Sequence, residues 1–108
     1  MKFYKRRYAL VKFYDDLNKE ELETLVENNF RSLFGVIDAA YSNIKLVFFK
    51  PNDKLAVFRL NNDYLDQFRA TIFFLRDSKI RQARIILVSG TLKKIKLYIQ
   101  ENVKNWPS

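Results

Sequence analysis

The sequence predicts an α+β fold, a four-stranded antiparallel sheet with helices packed on it, in a single domain spanning residues 1–108. Three observations predict it. Four short segments have strand character, three others repeat apolar residues at helical spacing, and turn residues separate them in the order β-α-β-β-α-β-α.

Tyr8 to Tyr14 alternates as a strand does, with Ala9, Val11 and Phe13 on one face and Tyr8, Leu10, Lys12 and Tyr14 on the other. Asn18 then reads as a helix N-cap, and Glu21 three residues on completes a capping box. Leu22, Leu25, Val26, Phe30 and Leu33 follow at helical spacing, and Gly35 stands where a left-handed C-terminal cap would lie. Ile44–Lys50 and Lys54–Leu60 are β-rich runs joined by Pro51-Asn52-Asp53, which is hairpin turn chemistry. Asn61, Asn62 or Asp63 caps a second helix with a core stripe of Leu65, Phe68, Ile72 and Leu75. Ala83–Ser89 is a nearly all-apolar strand, as the middle of a sheet requires. Gly90-Thr91 opens a third helix lined by Leu92, Ile95, Ile99, Val103 and Trp106.

The first six elements form a split βαβ pair, the ferredoxin-like arrangement shared by RNA-recognition modules, with an added C-terminal helix. Right-handed crossovers then give the sheet order 4-1-3-2. The two glycines and two prolines leave no linker, and no repeat is visible.

Composition narrows the chemistry. Without Cys there is no disulfide framework or thiolate metal site, and without His the commonest metal ligand is missing. No apolar run is long enough to span a bilayer, and Met1–Arg7 lacks the apolar block of a signal peptide, so a soluble cytoplasmic protein is expected. The net charge of +8 favours polyanionic partners. Its placement is uneven. Residues 1–12 carry Lys2, Lys5, Arg6, Arg7 and Lys12 with no acid. Arg76, Lys79, Arg81, Arg84, Lys93, Lys94, Lys96 and Lys104 crowd the C-terminal third, and six acids lie between Asp15 and Glu27.

Antiparallel pairing brings the start of the first strand beside the end of the last. Lys5, Arg6 and Arg7 should therefore approach Ser89, Gly90, Thr91, Lys93 and Lys94, with Arg59 nearby. The helix that begins after Gly90-Thr91 offers unpartnered N–H groups and a positive dipole end, a phosphate cradle. Lysines there oppose the dipole, which suggests a purpose other than folding. The bland alternative is that Lys93 and Lys94 are simply solvated.

On the second helix Ala70, Phe73 and Phe74 fall opposite the core stripe, so either the third helix or a partner protein covers them. Phe13, Phe48, Phe49 and Phe58 suit base stacking on a sheet, but both strand faces are apolar and core packing is the stronger expectation. No catalytic constellation stands out. Asp15 and Asp16 are adjacent, and Glu20, Glu23 and Glu27 read as a solvated helix face rather than a metal cluster.

Four stretches resemble the small RNase P protein subunit shared by archaea and eukaryotes, called protein component 2 in archaea. They are Lys5-Arg6-Arg7-Tyr8, then Ser32-Leu33-Phe34-Gly35 with Ala39 at the end of the first helix, then Phe58 through Leu65 running on to Arg69-Ala70. The most specific is Val88-Ser89-Gly90-Thr91-Leu92-Lys93-Lys94. The chain departs from the pattern at Asp38, where a second glycine is common.

The resemblance implies a non-catalytic RNA-binding subunit. In that family the RNase P RNA removes the 5′ leader from precursor tRNA with Mg²⁺ held by the RNA, so no cofactor is expected on the protein. It also implies a TIM-barrel-like partner subunit, protein component 3, other RNase P proteins, and assembly as two copies of each of the pair. By position, Arg6, Arg7, Arg59, Lys93 and Lys94 become candidate RNA contacts. The alternatives are another ribonucleoprotein subunit or a ferredoxin-like scaffold or regulatory domain.

Overall fold

A computed structural model describes residues 5–75 and 83–102. Val103 and Trp106, expected on the third helix, and the basic residues Lys2, Arg76, Lys79, Arg81 and Lys104 lie outside the described residues.

The elements are β1 (Arg6–Phe13), α1 (Lys19–Phe34), α2 (Val36–Ser42), β2 (Lys45–Lys50), β3 (Leu55–Asn61), α3 (Leu65–Phe73), β4 (Ala83–Ser89) and α4 (Leu92–Asn102). The four strands form one antiparallel sheet in the order β2-β3-β1-β4, the expected order read from the other edge.

The sheet is buried on both faces, as the two-sided apolar pattern of β1 requires. Ala9, Val11, Phe13, Leu46, Phe58 and Leu60 pack with Leu22 and Val26 of α1 and with Phe68 and Ile72 of α3. Leu10, Leu55 and Val57 point the other way and pack with Ile95 and Ile99 of α4. The outer strands each carry one unmatched residue, Val47 in β2 and Ile86 in β4. Each register shift turns two consecutive apolar side chains toward α4, Val47 with Phe48 and Ile86 with Leu87. The seat of α4 is thereby widened. The sheet aromatics accordingly serve packing: Phe13 and Phe58 are fully buried, Phe13 stacks on Phe49, and Phe48 lies half-buried in the α4 seat.

The capping box at Asn18 forms as expected. Asn18 Oδ1 accepts the Glu21 N–H at 2.8 Å, and Glu21 Oε1 accepts the Asn18 N–H at 3.1 Å. Four expectations need correction. Ala83–Ser89, read as a strand in the middle of the sheet, is the edge strand β4, and its apolar side chains are covered by helices on both faces rather than by a further strand. The chain has a further helix, α2, whose seven residues are too few for periodicity to declare, and Ala39 belongs to it rather than to α1. Leu33, placed on the core stripe of α1, is exposed because the packed stripe ends at Phe30. Gly35 closes α1 with φ 95° and ψ 169°, not in the left-handed helical region.

Gly35 donates its N–H to the Arg31 carbonyl at 2.8 Å and accepts from the Ala39 N–H at 3.0 Å, so one residue ends α1 and starts α2. That backbone geometry is open essentially to glycine alone. A Cβ added there would meet nothing within 4 Å. The cost of Gly35→Ala is therefore backbone strain, about 1–3 kcal/mol, and a thermal melt should show Tm lower by about 5–15 °C. Asp38, the departure from the family pattern, falls in the first turn of α2, where the helix dipole favours an acid, and hydrogen-bonds Tyr64.

The hairpin turn is a single 3₁₀ turn over Pro51–Asp53, with Lys54 left-handed at φ 54°. None of the three proposed residues caps α3 itself, whose N-cap is Tyr64 without a side-chain hydrogen bond; Asn61 instead caps the 3₁₀ turn that leads into α3, its Oδ1 accepting the Asp63 N–H at 3.0 Å.

Candidate nucleic-acid interface

The pairing registers build a row of side chains across one end of the sheet. Lys45 of β2 lies opposite Arg59 of β3, Arg59 opposite Tyr8 of β1, and Tyr8 opposite Ser89 of β4. Tyr8 packs in the α4 cluster, so the whole row faces α4, because directly paired residues share a face. Arg6, two residues before Tyr8 and paired with Asn61, extends the row on the same face. Lys5 is held at this end by its carbonyl, which accepts the Asn62 N–H at 2.8 Å.

Alternation sends Arg7 to the opposite face, but its guanidinium returns to the turn before α4. Its Nη1 lies 3.4 Å from where a Cβ on Gly90 would stand. The Arg7 guanidinium thus lies within van der Waals reach of the turn that opens α4. Lys93 and Lys94 follow in the first turn of α4 and are exposed. The basic segments from both ends of the chain do converge on one edge.

Lys45 belongs to this row, and sequence reasoning missed it. The signal was present: folding the hairpin about Pro51–Asp53 sets Lys45 against Arg59.

The start of α4 is a narrower cradle than the sequence suggests. Thr91 Oγ1 accepts the Lys94 N–H at 3.4 Å, and Ser89 Oγ accepts the Thr91 N–H at 3.2 Å. Two of the N–H groups at this helix start are thus satisfied within the protein, and Ser89 and Thr91 act as caps. Among the described residues, Arg6, Arg7, Lys45, Arg59, Lys93 and Lys94 form no ion pair with a carboxylate. Lys96 is engaged differently, with Nζ over the Phe48 ring at 5.4 Å from its centre.

The helical side of the sheet has a different chemistry. Phe73 and Phe74 are 69% and 53% exposed, their rings edge to face at 4.9 Å, and Ala70 beside them is half-buried. The helix after Gly90-Thr91 packs on the other face of the sheet, so it is not their cover.

Of the acids read as a solvated face, Glu20 is exposed as expected, but Glu23 and Glu27 are half-buried, a further correction to the sequence reading. Glu23 Oε2 accepts the Leu46 N–H at 2.8 Å and ties α1 to β2. Burial, then the neighbouring Glu23 charge, raises the Glu27 carboxyl above its ordinary pKa, while Arg31 pulls it back. Ionised Glu27 therefore costs stability when the pH is above its folded pKa, and the cost disappears as pH falls through that value. Glu27→Gln should raise Tm at pH 7 and leave it unchanged below about pH 4, as read by melts across that range. Among the described residues no group of three or more carboxylates could hold a metal ion. Nor is any helix there long and apolar enough to cross a membrane.

A chain in the cryo-EM structure of yeast ribonuclease MRP shares this fold, with a TM-score of 0.64 and 16% sequence identity over 98% of this chain and 99% of that one. No curated protein sequence matches. A family model, Rpp14/Pop5, matches residues 7–100, the whole sheet but for Arg6 and all but the last two residues of α4. The chain therefore belongs to the Rpp14/Pop5 family, a family of ribonuclease P protein subunits.

Proposed function

We propose that this subunit holds the ribonuclease P RNA by its phosphodiester backbone, along the edge formed by Arg6, Arg7, Lys45, Arg59, Lys93 and Lys94, and performs no chemistry itself. The observation that carries the reading is the convergence of these cations without carboxylate partners among the described residues. Packed RNA helices bring phosphates together, and fixed cations offset that repulsion while releasing condensed counterions. Mg²⁺ does the same work diffusely, so the protein lowers the Mg²⁺ that the RNA needs to hold its active shape. Removal of the 5′ leader from precursor tRNA is then RNA chemistry, in the cytoplasm.

The exposed Phe73–Phe74 pair supports a protein contact on the opposite side, with the TIM-barrel-like subunit or a second copy of this chain. The particle would thus sit with RNA on its α4 side and protein on its helical side.

Replacing Arg6, Arg7, Lys93 and Lys94 by Ala should raise, several-fold, the Mg²⁺ concentration giving half-maximal cleavage of precursor tRNA by the reconstituted particle. An unchanged requirement with an intact circular-dichroism spectrum refutes the reading. The protein alone with Mg²⁺ should cleave nothing.

A further inference from the structure

The far end of the sheet repeats the pattern of the near end. Lys50 of β2 lies opposite Leu55 of β3, Leu55 opposite Lys12 of β1, and Lys12 opposite Arg84 of β4. Leu55 packs in the α4 cluster, so this row also faces α4. Lys12 and Arg84 are like charges paired directly across strands, an arrangement that destabilises a sheet. The Lys12 ammonium donates to the Asp53 carbonyl at 2.8 Å and stands over the Tyr14 ring, 5.6 Å from its centre. Tyr14 itself is exposed. Lys54 joins the group, with Nζ 3.2 Å from the Tyr14 carbonyl. Asp53 pairs with Lys50 at 3.3 Å and Asp16 with Lys54 at 3.5 Å, the latter acid fully exposed and so weakly held. Burial and the Lys54 charge lower the Lys12 pKa, Asp53 opposes them, and Arg84 lowers it further. Cationic repulsion is thus concentrated at this end of the sheet.

The two rows are four residues apart along β1, about 13 Å. α4 packs in one cluster with Leu10, Val57 and Leu87, which lie between the rows, and with Tyr8 and Leu55 of the rows themselves, and a helix stands roughly 10 Å above the sheet it covers. A stiff duplex resting on one row is held off the other by that helix.

We propose that Lys12, Lys50, Lys54 and Arg84 form a second phosphate-binding site, and that the protein joins two separate RNA backbone segments across α4. This rests on the reading of the near edge as an RNA contact. It turns a binding subunit into a cross-link between RNA helices.

Two 12-base-pair RNA duplexes that cannot pair with each other, one carrying a donor dye and the other an acceptor, test it at 0.15 M salt. The protein is kept at concentrations where sedimentation shows a monomer. Wild-type protein should bring the dyes together and give energy transfer. Lys12→Gln/Arg84→Gln should still bind a single duplex within about threefold while transfer falls at least fivefold. Lys50→Gln/Arg84→Gln, which keeps the Lys12–Asp53 hydrogen bond, should do the same if the first variant is poorly folded. Lys19→Gln/Arg69→Gln removes as much charge from the helical side and should leave transfer intact. Transfer that survives both far-end variants, that falls equally in the control, or that is absent from a wild-type protein binding single duplexes overturns the cross-link. Failure to bind any duplex would instead overturn the near-edge reading.

Discussion

Phe58→Ala is expected to lower Tm by about 15–30 °C, among the largest effects a single substitution can have in this fold. Phe58 is fully buried at the centre of β3, the strand that joins β1 to β2, and its ring meets Phe68 of α3 at 5.6 Å. Removing it leaves a cavity bordered by both the sheet and a helix, neither free to collapse. Such truncations cost about 3–5 kcal/mol, against a total stability of about 5–15 kcal/mol for a domain of this kind. Phe58→Leu, which refills most of the volume, should recover more than half of the loss. A melt followed by circular dichroism decides it, and a drop below about 5 °C for the alanine variant would mean that α3 is not anchored through this ring.

The second large effect concerns RNA. Changing Arg6, Arg59, Lys93 and Lys94 together to Ala should flatten the plot of log affinity against log salt by about 3–4 units, roughly one for each phosphate no longer neutralised. At physiological salt that corresponds to a loss of about 10²–10³-fold. All four side chains lie outside the buried clusters, so the fold should survive. Titrating an RNA duplex at several potassium concentrations separates the outcomes. A parallel downward shift with no change of slope would mean that these side chains do not meet phosphates.

Much of this architecture could be read from the chain because local pattern and tertiary fold agree. The alternation of β1 placed Ala9, Val11 and Phe13 correctly against α1 and α3, and the Asn18–Glu21 box marked the start of α1. The meeting of Arg7 with Gly90 followed from topology alone. What escaped was set by interactions that periodicity does not encode. Seven residues of α2 are shorter than two helical repeats and depend on the hinge at Gly35. Lys45 and Lys50 join the two rows through the hairpin register, which aligns them with Arg59 and Leu55. Thr91 read as part of an anion cradle and turned out to cap α4, since a hydroxyl beside unsatisfied N–H groups serves either purpose.

The unmatched residues Val47 and Ile86 lie in the two boundary strands of the sheet. Boundary strands expose rows of backbone donors and acceptors that invite a stray chain to zip on, and an uneven, more twisted border makes a poor template. Lys45 and Lys50 bracket the β2 border with charge that repels a second copy. The same irregularities that seat a helix thereby guard the free subunit against fibrous self-association during the interval before it meets its RNA.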